Sequence, residues 1–280
     1  MRVLIAYDGS DFAEAAVSDL TYAGLPADTE ARILCVAERH IDPVAESVAE
    51  DACIRLQTQF RSWTVQMETA TGDAADMILR RARQWPADLI VMGTHGRSGL
   101  KRLVLGSVST AVTRKAECSV RIARSWPHVE QARIRLLVAH DGSPEADAMV
   151  DGVCRRSWPS GTEARVVSVI QTLVATRADQ MAGIAGTVHD INVEEHHWIE
   201  LLGHEADQKL ANAGIVASSH VLEGDPVAML ENEARSWNSN TVFMGARKRG
   251  AVERLLVGSV SASVITHAPC TVEIVRPFKA

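Results

Sequence analysis

The 280-residue chain carries one pattern twice. VLIAYDGS at 3–10 returns as LLVAHDGS at 136–143, and LGSVSTAVTRKAECSVRIAR at 105–124 returns as VGSVSASVITHAPCTVEIVR at 257–276. Asp8 to Asp141 is a shift of 133 residues, as is Val36 to Val169, whereas Gly72 to Gly224 and Cys118 to Cys270 are shifts of 152. The difference, 19 residues, places an insertion of the second copy between its second strand and Gly224. Internal repetition decides the fold before any local pattern does. Here it predicts a tandem duplication of one domain, 1–127 and 131–280, joined near SWPHVEQA (125–132), where a proline and polar residues separate the copies.

Within a copy, strand and helix patterns alternate. Val3–Tyr7 is a short β-forming run broken by Asp8-Gly9-Ser10, which can cap a helix from about Asp11 to Gly24. Strands follow at Ala31–Ala37, Thr64–Thr69, Asp88–Met92 and Ser119–Ala123, with helices over Val44–Phe60, Ala74–Gln84 and Ser107–Ala116. Alternation of this kind predicts an α/β fold: two tandem doubly wound domains, each a parallel sheet with helices on both faces. Ligands of such sheets collect at the carboxyl ends of the strands, where strand order reverses. Those ends carry Asp8, Val36 and Gly93.

Composition narrows the function classes. A net charge of −6 disfavours a general nucleic-acid binder. The surplus is acidic mainly in residues 130–280, which hold 14 Lys/Arg against 19 Asp/Glu; residues 1–129 hold 15 against 16. No apolar run approaches the ~18 residues of a membrane span, and the first residues lack a signal-peptide pattern. Five scattered cysteines without a CxxC pair fit reduced thiols. The expectation is a cytoplasmic protein without membrane or nucleic-acid partners.

GTHGRSGLKRLVLGS (93–107) follows the fourth strand. Glycines at 93 and 96 let a ligand approach the backbone and can turn amides toward an anion as a nest. Gly106-Ser107 opens a helix whose first amides and dipole favour phosphate, with the Ser107 hydroxyl as a further donor. Arg97 can neutralise phosphate charge; Lys101 and Arg102 are read as solvent-facing. The Asp8 carboxylate is placed to take a sugar hydroxyl or a metal. Neither a P-loop nor GxGxxG is present, and a glycine-rich loop that only turns the chain is the competing reading.

The compound spacing Gly93-x2-Gly96-x9-Gly106-Ser107, with Asp8-Gly9-Ser10, GTHGRSG and ECSVRIAR, resembles the nucleotide-binding signature of the universal stress protein family, across both copies. The resemblance implies strand order 3-2-1-4-5, pairing of two domains through their fifth strands, and ATP in the cleft. It implies that Asp8 contacts ribose, that Ala6 borders the base and Val36 offers backbone groups to adenine, and that Gly93, Gly96, Gly106 and Ser107 hold the phosphates. In the second copy Asp141, Val169, Gly245, Gly258 and Ser259 keep their places, but Lys248 stands where Gly96 stands in the first, so ATP is expected in copy one. The resulting expectation is an ATP-binding stress-response protein with slow hydrolysis at most, paired within the chain and as a homodimer. The alternatives are a slow Mg²⁺-dependent ATP hydrolase and a nucleotide-free dimerisation scaffold.

Three other constellations are weaker. His196, Glu200 and His204 recur every four residues, a spacing that can hold zinc but more often marks a polar helix face. Asp8, His95 and Ser107 supply hydrolase letters without GxSxG. Trp-Pro at 85, 126 and 158 reads as element boundaries with anchoring rings, and Cys118 and Cys270 as core.

Overall fold

A computed structural model describes residues 1–38, 43–96, 105–124, 133–171, 185–248 and 255–277, with backbone alone at 43–45, 185–196, 247–248 and 255–256. β1 (Arg2–Ala6) buries Val3, Leu4 and Ile5 and ends at Asp8-Gly9-Ser10. Gly9 turns the chain at φ +74°, a left-handed backbone that glycine adopts without strain. Ser10 then caps α1 (Asp11–Asp19): its Oγ accepts the Ala13 amide at 3.2 Å, while its own amide and hydroxyl donate to Asp8 Oδ1. The second copy repeats this device at β6 (Arg135–Ala139), Gly142 (φ +75°) and α5 (Pro144–Cys154), with Ser143 bonded to Asp141 Oδ1 and capping Ala146.

The first half continues through β2 (Glu30–Ala37), α2 (Pro43–Gln59), β3 (Thr64–Thr71), α3 (Ala74–Gln84), β4 (Leu89–Gly93), α4 (Ser107–Lys115) and β5 (Ser119–Ala123). The second continues through β7 (Glu163–Ile170), α6 (Ala185–Asn212), β8 (Val216–Glu223), α7 (Pro226–Ser236) and β9 (Thr241–Gly245). A short ribbon, β10 (Arg247–Lys248) with β11 (Leu255–Leu256), then leads to α8 (Ser259–His267) and β12 (Thr271–Val275). Expected boundaries hold to within a few residues, with one larger difference. The first helix stops at Asp19, and a tight 3-10 turn, Leu20–Tyr22, carries the chain to Gly24. Part of the insertion of the second copy is helix: α6 has 28 residues where α2 has 17.

Each half has strand order 3-2-1-4-5, and the halves join into one ten-stranded sheet, β3-β2-β1-β4-β5-β12-β9-β6-β7-β8. All pairings in this sheet are parallel except the seam, where β5 and β12 run antiparallel. A parallel sheet is buried on both faces, so β4 carries no polar alternation, whereas β5 and β12 at the seam alternate in polarity and are buried all the same. β4, β5 and β12 are buried at every position. On one face α3, α4, α7 and α8 cover a core that runs unbroken across the seam, from Leu4 and Ile122 to Ile274 and Met244. On the other face each half keeps its own core, around Ile5 and Leu56 in the first and Val138 and Leu210 in the second. Trp158 bridges the halves there: its ring packs on Gly24, and its indole donates to Val153 O at 2.8 Å.

Candidate functional site

The strand order reverses between β1 and β4, which leave their carboxyl ends side by side: Val3, Leu4 and Ile5 pair with Leu89, Ile90 and Val91, and β2 lies on the other flank of β1. Ala6, Asp8, Val36, Gly93, Gly96, Gly106 and Ser107 therefore share one end of the first half. Arg97, Lys101 and Arg102 fall outside the described residues. Behind the Asp8 turn, burial and then a hydrogen bond to Glu14 push the Tyr7 phenol up, and Arg55 holds the Glu14 carboxylate at 2.7 Å.

The glycines do different work from one another. None of Gly93, Gly96 and Gly106 has a left-handed backbone, so the expected nest is not formed at these described positions; what they supply is space. A Cβ on Gly93 would stand 2.5 Å from Phe12 O, so this glycine lets the first turn of α1 press on the end of β4. Gly245 does the same against Glu145 O at 2.7 Å. Gly96 is exposed and faces the Asp8 turn: its Cβ would stand 2.7 Å from Asp8 Oδ2. Gly106 donates its amide to Thr94 O at 2.8 Å and is the N-cap of α4 without a side-chain cap.

The first amides of α4 thus open at this end of the sheet. Within the helix the amide of Thr110 is the first to find a carbonyl, that of Gly106 at 2.9 Å. The amides of Ser107, Val108 and Ser109 precede it and lack an intrahelical acceptor, as at every helix start. The exposed Ser107 hydroxyl stands beside them. Sequence reasoning passed over Ser109, whose buried hydroxyl donates to Gly93 O at 2.9 Å and ties α4 to β4. Its recurrence as Ser261 was the available signal. His95 bonds Thr94 Oγ1 at 3.1 Å and packs its ring 5.1 Å from that of Phe12, so it shapes the turn.

The second half brings Asp141, Val169, Gly245, Gly258 and Ser259 to the matching end, but the surroundings differ. Lys248 lies in the two-stranded ribbon, paired with Leu255. Trp198 and Leu202 of α6 lean on the Asp141 turn, where a Cβ on Gly142 would meet the Trp198 ring at 2.6 Å. Of the histidine ladder, the side chain of His196 lies outside the described residues. Trp85 and Trp158 stand just after helices α3 and α5; Trp126 is not among the described residues. All five cysteines are free thiols, and burial pushes Cys118 to about 11 and Cys270 to about 12. Among the described residues no helix is long and apolar enough to cross a membrane.

Comparison with known proteins agrees with this fold. Universal stress protein Slr1230 of Synechocystis is 32% identical over 126 residues, covering 42% of this chain and 41% of that one. YxiE of Bacillus subtilis is 31% identical over 145 residues, covering 44% of this chain and 98% of its own length. The matched stretch thus spans less than half of the Synechocystis relative and nearly all of the Bacillus one. Over the whole fold, a universal stress protein from Archaeoglobus fulgidus superposes with a TM-score of 0.66 at 23% identity, covering 99% of this chain and 98% of that one. The profile of the universal stress protein family matches twice, at residues 1–124 and 133–276, and with both halves accounted for the chain belongs to that family.

Proposed function

We propose that the crevice of the first half binds the polyphosphate of an adenine nucleotide, ATP, and that the chain is a cytoplasmic, nucleotide-responsive stress protein. The observation that carries this reading is the uncapped start of α4 beside the Asp8 turn, at the point where strand order reverses. In this reading the amides of Ser107–Ser109 and the Ser107 hydroxyl take the phosphates, with Gly93 and Gly96 beside them and Arg97 adding charge. Asp8 takes the ribose or a Mg²⁺ ion, and Ala6 and Val36 border the base. The triphosphate, with or without Mg²⁺, supplies a charge that these dipoles stabilise. The residues fit such a group: Gly96 keeps clear the approach to Asp8 that any side chain would fill.

The second half serves as the structural partner. The ribbon at Lys248 and the Trp198 ring against Gly142 support that assignment. Because both fifth strands are spent on the seam, a homodimer of whole chains uses another surface.

Gly96→Lys copies the second half into the first and is the direct test. Titration calorimetry is expected to show ATP affinity lost by at least about tenfold, about 1.4 kcal/mol. An unchanged affinity refutes the assignment. Turnover well above a Gly106→Asp control would favour the hydrolase, and a melting temperature indifferent to ATP would favour the nucleotide-free scaffold.

A further inference from the structure

The seam between the halves holds a buried charge pattern that the nucleotide reading does not use. Arg121 in β5 and Glu273 in β12 are both 0% exposed. They face each other across the antiparallel pair, Nη1 to Oε2 at 3.0 Å. They are also the same position of the two copies, 152 residues apart. The register pairs Ile122 with Val272, Arg121 with Glu273 and Val120 with Ile274. A shift of 152 turns 120, 121 and 122 into 272, 273 and 274, so exchanging the copies maps this register onto itself. A pseudo-two-fold axis therefore passes between Arg121 and Glu273.

A residue on such an axis meets itself whenever like copies pair. Two first copies joined by β5 would bury Arg121 against Arg121; two second copies joined by β12 would bury Glu273 against Glu273. The neighbours sharpen the contrast. Asp19 bonds Arg121 Nε at 2.5 Å, and Arg156 bonds both oxygens of Glu273. Each copy brings only one of these flanking charges: the counterpart of Asp19 is Gly152, and that of Arg156 is Ala23. Unlike copies give the alternating row Asp19, Arg121, Glu273, Arg156. Like copies place two equal charges at the centre of the row, where water does not reach to screen them.

Two arginine clasps at the seam are reciprocal and carry no such preference. Arg124 donates to the carbonyls of Ile265 and Thr266 at the end of α8, both at 2.6 Å. Arg276 donates to Thr113 O at 2.7 Å and to Cys118 O at 3.0 Å around the end of α4. Either clasp would form equally well in a like-copy pair, since each copy holds both the arginine and the helix end.

We propose that the Arg121–Glu273 polarity selects the partner. The fifth-strand edge of each copy accepts the opposite copy and rejects its own kind, so the halves dock on one another and chains do not join through two first or two second copies. This is specificity by repulsion against the wrong partner as much as by attraction to the right one.

The test uses full-length chains and hydrogen exchange. E273R/R156A sets Arg121 against an arginine, with the extra flanking charge removed. R121E/D19A/E273R/R156A restores opposite charges in inverted order. The double variant is expected to lose protection of the seam amides of β5 and β12 by on the order of 100-fold or more, the scale of a broken buried pair. The amides of β2–β3 and β7–β8 should stay protected, reporting that each half is folded. The fourfold variant should recover seam protection. Retained protection in the double variant overturns the proposal. A fourfold variant no better than the double also overturns it, since the native bonds rather than the polarity would then hold the seam. If the double variant fails to fold altogether, refolding of the fourfold variant supports the proposal and its failure overturns it.

Discussion

Gly93 and Gly96 sit three residues apart in one motif, and alanine at the two should have opposite consequences. At Gly93 the new methyl would lie 2.5 Å from Phe12 O and 2.7 Å from Phe12 C, both backbone atoms of the first turn of α1. Ordinary contact needs about 3.4 Å or more, and neither the strand nor the helix can yield that distance by rotating a side chain. The chain must shift α1 off the sheet, an overpacking cost of about 2–3 kcal/mol. For a chain of this size each kcal/mol moves the melting temperature by about 2 °C, so Gly93→Ala should melt about 5 °C early. At Gly96 the methyl would lie 2.7 Å from Asp8 Oδ2, the far end of a side chain that can pivot about the oxygen bonded to Ser10. Gly96→Ala should therefore cost less than about 0.5 kcal/mol without nucleotide, while the displaced carboxylate lowers ATP affinity. Urea unfolding without ligand, followed by nucleotide titration, separates the two effects. A Gly93→Ala protein of wild-type stability, or a Gly96→Ala protein destabilised as much as Gly93→Ala, would show that the glycines have been assigned the wrong tasks.

Three further outcomes are expected. Ser10→Ala removes the α1 cap and the hydroxyl bond to Asp8, and should cost about 1 kcal/mol in urea unfolding, with Ser143→Ala matching it in the second half. Burial alone would raise the Glu273 carboxyl, but Arg156 and Arg121 outweigh it and hold it below its ordinary 4.5. The stability it contributes is then complete above pH 4.5 and lost as pH falls through the lowered value, and Glu273→Gln should flatten that acid limb of the stability profile. Burial raises the Cys270 thiol from 9.0 to about 12, so its stabilisation is intact below pH 9 and lost as pH rises toward 12. Cys270→Ser should reduce that alkaline loss, and alkylation at pH 7 should leave Cys270 unmodified until the chain unfolds.

Much of the architecture was readable because the repeat and the alternation agree. The Asp-Gly-Ser turns at 8–10 and 141–143 cap helices as their residue types predict. β4 reads as a buried strand from Leu89-Ile90-Val91-Met92 alone. The candidate site was proposed from the sequence as a set of strand ends, which the fold brings to one end of the sheet, but the packing task of each glycine was not legible. Gly93 and Gly96 look alike as letters, and only the packing shows that one lies against the backbone of α1 and the other against the Asp8 carboxylate. The seam charges were hidden for a related reason. Arg121 within SVRIA resembles an outward-facing residue of an alternating strand, and Asp19 the end of an exposed helix. Burying them requires a second half whose own strand supplies Glu273, a long-range fact that no local pattern carries. The opposed signs at one repeat position were the available clue.

One crevice of the two is proposed to take a nucleotide. Calorimetric titration of the nucleotide-free wild-type chain with ATP should show one site per chain, abolished by Gly106→Asp and untouched by Gly258→Asp. Two equal sites, no binding, or binding lost with Gly258→Asp instead would refute the proposal.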